Sequence, residues 1–319
     1  MKRELIIMTM KTLGIHHITA IVGDPQENVD FYAGILGLRL VKKTVNFGDK
    51  VRYHLYFGNE GGTPGTLITF FAWPGVETGK VGDGQVGVSG YVVPKGAMNF
   101  WEERLEKFDI SYTKTERFGE VYLQFEDPHG LRLEFVEREE GAKSEWEFGG
   151  VNRDVAIKGL GGATLFSSES DKTAEVLENV MGFELVGSEG DYIRFKSSSD
   201  LGNIIDVLAT SFGRGENGPG VVHHIAWRTK DDAEQLAWKK YVEQDGFDVT
   251  EVKDRNYFKA IYFREHGGIL FEIATDPPGF AHDESLETMG ENIMLPEQFE
   301  NEREKLEEIL IPVEVRELE

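Results

Sequence analysis

The chain has 319 residues, which exceeds one typical hydrophobic core and indicates two domains or four smaller modules packed in pairs. Its net charge of −23 argues against nucleic acid and anionic membranes as partners, because a polyanion would be repelled. No cysteine occurs, so disulfides and thiolate sites are excluded, and any metal must be bound by histidine and carboxylate side chains.

The first ten residues, MKRELIIMTM, lack the long apolar stretch and the small-residue cleavage site of a signal peptide. Met8 or Met10 could therefore be the natural start as well as Met1. No segment approaches the ~20 apolar residues that a membrane-spanning helix needs. We expect a cytoplasmic protein without a membrane partner.

The first predicted module, residues 13–74, contains a strand, a helix and three further strands. A turn at Asp24-Pro25 leads from the first strand into an amphipathic helix that stops at Gly37. The predicted elements are a strand at Ile15–Val22, a helix near Asn28–Leu36, and strands at Leu38–Asn46, Tyr53–Phe57 and Thr66–Trp73.

The next two predicted modules, residues 86–137 and 157–210, are weaker copies of the same βαβββ order. Their predicted elements are Gly87–Val93, Met98–Phe108 and Leu131–Val136 in one, and Ala163–Ser167, Thr173–Val180 and Ile204–Leu208 in the other. The charged, glycine-rich segment Glu137–Asp154 is predicted to link the two modules.

The fourth predicted module, residues 221–276, repeats the first most closely. In both modules a histidine, His17 or His224, lies seven residues before an aspartate that is predicted to cap the helix. The predicted elements are Val222–Arg228, a helix near Asp232–Gln244, and strands near Asp248–Lys253, Phe258–Arg264 and Ile269–Thr275. An acidic tail, residues 277–319, follows; a helix is predicted at Glu297–Leu310, on the outside of the fold.

Strands about ten residues apart with one helix per unit also fit a ferredoxin-like α+β protein. The repeated His-to-Asp spacing favours four related modules instead. From about Leu13 to Thr275, this pattern resembles the vicinal oxygen chelate superfamily. The resemblance implies an α+β fold in which pairs of βαβββ modules form two cupped, barrel-like β-sheet domains around a metal.

Comparing equivalent positions of the four modules indicates a metal site. The position seven residues before the helix-leading turn holds His17, Val88, Thr164 and His224; the position four residues after a glycine in the last strand holds Thr69, Glu134, Asp206 and Glu272. Only the pairing of modules 1 and 4 gives two histidines and one carboxylate, with Thr69 leaving a position open.

The predicted ligands are therefore His17, His224 and Glu272. This set suits Fe(II), with Mn(II) as an alternative, because it leaves about three coordination positions for substrate and O2. Glu134 and Asp206 lack a histidine partner and are predicted to be structural.

His16 and His223 directly precede the proposed ligands. Because side chains alternate along a strand, both are expected to point away from the metal. A register slipped by one residue would make them the ligands instead, but the spacing to Asp24 and Asp231 argues against that slip.

The HHIT and HHIA openings, the segment TPGTLITFFAWP and the run from Arg255 to Glu272 resemble a narrower group, the hydroquinone ring-cleaving dioxygenases. The resemblance implies Fe(II)-dependent insertion of both atoms of O2 beside a ring hydroxyl of a small aromatic substrate. It also implies that Arg255 stabilises an anionic oxygen and that Tyr262 donates or relays a proton. Thr19, His16 and His223 match other pocket or supporting positions of that group.

Other functions of this fold stay open. A four-module extradiol catechol dioxygenase usually places both histidines in the C-terminal half, where Thr164 stands, and a glyoxalase usually has a fourth protein ligand, where Thr69 stands. A metal-free binding protein would not need a complete triad. Related folds often pair as dimers, so a homo-oligomer fits this chain. Neither the ring substituents of the substrate nor the physiological pathway follows from the sequence.

Overall fold

A computed structural model describes residues 10–318, and the strands in this range form two eight-stranded sheets. The strands of modules 1 and 2 are β1 (Ile15–Val22), β2 (Arg39–Asn46), β3 (Asp49–Gly58), β4 (Leu67–Ala72), β5 (Gln85–Val93), β6 (Tyr112–Arg117), β7 (Glu120–Glu126) and β8 (Arg132–Glu137). Those of modules 3 and 4 are β9 (Gly159–Phe166), β10 (Glu184–Glu189), β11 (Tyr192–Lys196), β12 (Ile204–Leu208), β13 (Val221–Thr229), β14 (Lys253–Asp254), β15 (Phe258–Arg264) and β16 (Leu270–Pro278).

Modules 1 and 4 form the first sheet, in the order β14-β15-β16-β13-β1-β4-β3-β2. Modules 2 and 3 form the second sheet, in the order β10-β11-β12-β9-β5-β8-β7-β6. At the centre of each sheet the opening strands of two modules run antiparallel, β1 beside β13 and β5 beside β9. The predicted fold class, four βαβββ modules in two cupped sheets, is confirmed.

The helices follow the opening strand of each module. They are α1 (Pro25–Val29), α2 (Met98–Lys107), α3 (Ser170–Glu175), α4 (Asp232–Gln244) and, in the tail, α5 (Arg303–Ile309); π-helical turns extend α1 over Asp30–Ile35 and α3 over Val176–Val180.

The side chain of Asp24 accepts hydrogen bonds from two backbone amides of α1, and Asp231 accepts one from the backbone amide of Glu234 in α4. The repeated His-to-Asp spacing thus corresponds to the distance from a position in the opening strand to the residue that caps the following helix.

A glycine precedes the last strand of each module, four residues before the compared position. Gly65 and Gly268 both have φ of +90°, a left-handed conformation that other residues adopt only with strain. The chain therefore turns at a fixed distance before each last strand. This constraint explains why counting from the glycine finds equivalent residues in different modules.

The two faces of each sheet differ in what covers them. The helices pack on one face, where a single apolar core includes Ile18, Trp101, Leu165 and Trp227. The face of the first sheet that carries His17 has its own apolar group, which includes Tyr56, Ala226, Tyr257 and Phe258, and we call this face the first cup. The corresponding face of the second sheet, around Tyr122 and Val136, is the second cup.

One predicted strand is wrong in extent: in place of Asp248–Lys253 the structure has only the two-residue β14 at the edge of the first sheet. The reason is a side-chain hydrogen bond that replaces part of the ladder. The backbone amide of Tyr262 donates to the hydroxyl of Thr250 rather than to a backbone carbonyl. A Thr hydroxyl competes with main-chain pairing in this way at irregular edges.

The tail crosses the first cup before reaching α5. Lys42, whose side chain is fully buried, contacts carboxylates of Asp283 and Glu284 at 2.8 Å each. Phe280 and Met289 are buried in the first cup, so this part of the tail packs into the fold, whereas packing on the outside was predicted for Glu297–Leu310. Within the predicted helix, Glu297–Glu302 forms 3₁₀ turns, and α5 follows.

Among residues 10–318, no helix combines the length and apolar character needed to span a membrane. The choice between Met1 and Met8 as the natural start falls on residues 1–9, outside the described part of the chain.

Candidate metal centre

Three adjacent strands of the first sheet bring His17, His224 and Glu272 together. Thr19, two residues after His17, lies directly across from His224, and Glu272 pairs with the residue two after His224. Nε2 of His224 lies 2.8 Å from Oε2 of Glu272, and Nε2 of His17 lies 3.6 Å from the same oxygen. One ligand atom from each residue lies within 4.8 Å of the other two.

The chemistry of this cluster fits a cation. Glu272 is 0% exposed, yet neither of its carboxylate oxygens accepts a hydrogen bond from any of residues 10–318. A buried carboxylate without donors is costly unless a cation compensates it. Within the described residues, these three side chains are the one group of His, Asp and Glu arranged to hold a metal.

The protonation states of the two histidines suit metal binding. Burial lowers the pKa of His17 well below its usual range. Burial, together with the charge of Arg255, lowers the pKa of His224 to about 3. Both imidazoles are therefore neutral near pH 7, which is the form that coordinates a metal.

His16 and His223 lie beside the candidate ligands, so the prediction that they point away is wrong. Nδ1 of His16 is 2.9 Å from Nδ1 of His17, and the same atoms of His223 and His224 are 2.8 Å apart. The physical reason is a pair of β-bulges, since the β1–β13 register shifts at both histidines. With Nε2 of each ligand facing Glu272, a metal bound at Nε2 would leave Nδ1–H of His17 and of His224 to donate to the neighbouring imidazole, which would fix the ligand tautomer.

Arg255 and Tyr262, the two further predicted residues, meet at the same site. Tyr262 lies directly across from Glu272 in the ladder, and its ring centroid is 5.7 Å from that of His224. Nε of Arg255 donates to the Tyr262 hydroxyl over 3.1 Å. Burial and the charge of Glu272 raise the pKa of Tyr262 well above its usual range, so its hydroxyl keeps the proton.

A polar row that the sequence analysis missed crosses the first cup beside the ligands. The Thr19 hydroxyl is 2.8 Å from that of Thr69, Thr69 is 2.9 Å from Nε2 of His54, and Nδ1 of His54 is 2.8 Å from the Tyr56 hydroxyl. The sequence did contain a sign of this row, because His54 and Tyr56 are two residues apart in β3 and therefore point to the same face. Neither residue stands at one of the positions compared between modules.

Aromatic rings enclose the cluster. Phe258 lies 5.0 Å from the ring of His17, and Phe71 lies 6.3 Å from the ring of His224. Of the other aromatic residues near the compared positions, Phe70, Trp227 and Phe271 belong instead to the core on the helix side. The immediate surroundings of the candidate site are thus largely apolar, as an aromatic ligand requires.

Within residues 10–318, the second cup carries no such site. Gly90 pairs with Gly162 and Asp206 pairs with Thr164, so the residue equivalent to His224 is Gly162 and not Thr164. No side chain fits there, because a Cβ on Gly162 would lie 2.2 Å from the carbonyl oxygen of Ile204. The equivalence of Thr164, read from sequence spacing, was wrong by two residues because α3 begins at Ser170 with Glu169 as its cap residue, so Gly162 lies seven residues before the cap.

Arginines neutralise the two carboxylates of the second cup. Arg117 donates two hydrogen bonds to Glu134 and one of 2.8 Å to Asp206. Arg194 donates two further bonds to Asp206, at 2.7 and 2.8 Å. These buried ion pairs agree with the structural role predicted for Glu134 and Asp206.

Comparison with known proteins identifies the family. Residues 14–135 and 159–273 match the family described as the Glyoxalase/Bleomycin resistance protein/Dioxygenase superfamily. The chain belongs to this superfamily.

Two relatives within the superfamily align with nearly the whole chain. MhqO of Bacillus subtilis (strain 168), a candidate ring-cleaving dioxygenase, is 67% identical over 312 residues, which are 98% of this chain and 100% of MhqO. A chlorohydroquinone/hydroquinone 1,2-dioxygenase of Sphingobium indicum is 37% identical over 303 residues, 92% of this chain and 94% of that enzyme.

Two solved structures share the fold of this chain. A crystal structure of a candidate dioxygenase from Bacillus subtilis has a TM-score of 0.96 at 67% identity, covering 97% of this chain and 100% of that one. Glyoxalase I of Zea mays has a TM-score of 0.61 at 14% identity, covering 82% of this chain and 92% of its own. The latter likeness concerns the fold alone.

Proposed function

We propose that this protein is a ring-cleaving dioxygenase that uses Fe(II) to open hydroquinone-type rings with insertion of both atoms of O2. The observation that carries the proposal is the buried cluster of His17, His224 and Glu272, whose carboxylate accepts no hydrogen bond from residues 10–318. Two histidines and one carboxylate are the ligand set of non-haem Fe(II) oxygenases. The relatives named for ring cleavage and for hydroquinone support the substrate class.

A ferrous ion held by these three side chains would supply the electron exchange between ring and O2 that their different spin states otherwise make slow. The residues around it would bind and orient the substrate. Phe71 and Phe258 would pack against the ring, and the guanidinium of Arg255 would balance negative charge on a ring oxygen. The protonated Tyr262 hydroxyl would donate a proton to an oxygen beside it.

The first cup also limits access of water. His17 and His224 are 1% and 5% exposed, and tail residues such as Phe280 cover the same cup. Exclusion of water strengthens the electrostatic effects of Arg255 and Tyr262. We further propose that the protein acts in the cytoplasm; assembly into a homo-oligomer stays a prediction.

The test is anaerobic reconstitution with Fe(II) or Mn(II), followed by O2 uptake with methylhydroquinone and with catechol. We expect uptake with methylhydroquinone in the Fe(II) protein and its loss in His224→Ala. The matched control is His266→Ala, which removes an exposed histidine that packs beside Phe247 and is not one of the three candidate ligands, although it lies only six residues before Glu272. Uptake with catechol alone would favour an extradiol enzyme, and no uptake with either ring, despite bound metal, would refute dioxygenase activity.

A further inference from the structure

The polar row of the first cup, Thr19, Thr69, His54 and Tyr56, ends next to the candidate ligands. Thr19 lies directly across from His224 in the β1–β13 ladder, and it is two residues from His17 on the same strand. Thr69 pairs with Thr19 just as Glu272 pairs with Ala226, so Thr69 occupies the place that mirrors the carboxylate ligand. The two threonine hydroxyls therefore lie on the side of the cluster that no ligand fills.

The hydrogen bonds of this row have only one orientation that satisfies Tyr56. Its hydroxyl is buried, and its one partner among residues 10–318 is Nδ1 of His54. If Nδ1 of His54 carried the proton, the Tyr56 hydroxyl proton would have no acceptor, at a cost of about 1–3 kcal/mol for a buried donor. Tyr56 therefore donates to Nδ1, and the proton of the neutral His54 lies on Nε2.

This orientation propagates along the row. Nε2–H of His54 donates to Thr69, so the Thr69 hydroxyl must direct its own proton to Thr19. The Thr19 proton then has no acceptor among the described residues, and Thr19 itself lies across from His224 and two residues from His17. Burial lowers the pKa of His54 well below its usual range, which keeps this imidazole neutral.

We propose that His54, held by Tyr56, is a positioning residue that makes Thr19 a hydrogen-bond donor to the metal-bound phenolate oxygen of the substrate. The proposal rests on the proposed function for the identity of that oxygen. The orientation of the row does not depend on it, because it follows from the four side chains alone. Neither His54 nor Tyr56 needs to touch the substrate for this role.

The first experiment measures the tautomer of His54 by NMR of imidazole nitrogens in protein loaded with diamagnetic Zn(II) and labelled with [¹⁵N]histidine. The signals of His54 are those lost in His54→Gln. We expect the Nε2–H tautomer in the wild type and loss of this preference in Tyr56→Phe, where Nδ1 has no donor. An Nδ1–H tautomer in the wild type would overturn the proposal.

The second experiment measures anaerobic binding of 4-nitrophenol to the Zn(II) protein, with the phenolate detected by its absorption. We expect about tenfold weaker phenolate binding in His54→Phe and Tyr56→Phe, which corresponds to about 1.4 kcal/mol. His54→Gln should restore part of the affinity, because its amide can accept from Tyr56 and donate to Thr69. Zinc content is determined for each variant, so a lost metal is not mistaken for a lost donor.

Equal affinity in the wild type and Tyr56→Phe, at equal zinc content, would refute the role of the row. Tyr56→Phe keeps the imidazole and nearly all of the volume, so it decides the matter even if His54→Phe does not fold. Because Zn(II) supports no reaction with O2, these results stand apart from ring cleavage. A failure to oxidise hydroquinones would count against the proposed function and leave the orientation of the row intact.

Discussion

Replacing Arg117 by methionine in the second cup should destabilise the protein strongly without affecting the candidate metal centre. Arg117, Glu134 and Asp206 have side chains that are only 6%, 4% and 2% exposed. After the substitution, Asp206 would keep both hydrogen bonds from Arg194. Glu134 would keep only the bond of 3.0 Å from Gln124 and become a buried charge without a cation.

Removing one partner of a buried ion pair typically costs about 3–5 kcal/mol, because the remaining charge is uncompensated. The double variant Arg117→Met/Glu134→Gln removes that charge as well, and replacing both partners of a buried pair is often nearly neutral. We therefore expect the single variant to lose about 3–5 kcal/mol of unfolding free energy, and the double variant to recover at least half of it.

Urea unfolding of the wild type, both single variants and the double variant gives the coupling energy, with metal content recorded for each protein. Arg117→Met should retain metal binding at low urea, since the candidate ligands all lie in the other sheet. A loss below 1 kcal/mol in Arg117→Met, or a double variant less stable than the single one, would refute this account of the second cup.

Metal at a hundredfold excess over its dissociation constant should raise the unfolding free energy by about 2.7 kcal/mol, and His17→Ala should abolish the rise in a thermal-shift titration; an unchanged rise would exclude His17 as a ligand. Lys42→Met should expose the tail to limited proteolysis near residue 283, because two tail carboxylates lose their buried partner; cleavage no faster than in the wild type would contradict this. Burial alone would raise the pKa of Glu120, but hydrogen bonds from Arg138 outweigh it and bring that pKa to about 2. Stability from this carboxylate is therefore complete above its unfolded pKa of about 4.3 and is lost as the pH falls towards 2. Glu120→Gln should flatten that acid limb in unfolding measured from pH 5 to 2, and an unchanged slope would refute it.

The repeated features of the chain were predictable from sequence because fixed backbone geometry produces them. The sequence separation of His17 and Asp24 is fixed because one lies in a strand and the other caps the next helix. The separation of Gly268 and Glu272 is fixed because the left-handed turn at Gly268 leads directly into the last strand. The left-handed glycine recurs in all four modules, whereas the aspartate cap occurs only in modules 1 and 4. These local constraints sufficed to pair modules 1 and 4 and to select the candidate ligands before any tertiary contact was known.

The features that escaped prediction depend on contacts between strands. The bulges that turn His16 and His223 beside the ligands arise in the β1–β13 ladder, between residues about two hundred positions apart, and strand alternation gives no sign of them. The place of His54 in the polar row depends on its hydrogen bonds with Thr69 and Tyr56, and no spacing rule connects these residues with the ligands.

The pairing of modules in the order 1 with 4 and 2 with 3 has a consequence for biosynthesis. The second sheet is contiguous in the chain, from Gln85 to Leu208, whereas the first sheet joins strands from both sides of it. During translation the second sheet can form while module 4 is still unmade, since domains generally fold as units when their residues have been synthesised. Until then β1, which carries His17, can pair with β4 but lacks β13 on its other side, and a ribosome that stops before Glu272 releases a chain without a complete candidate metal centre.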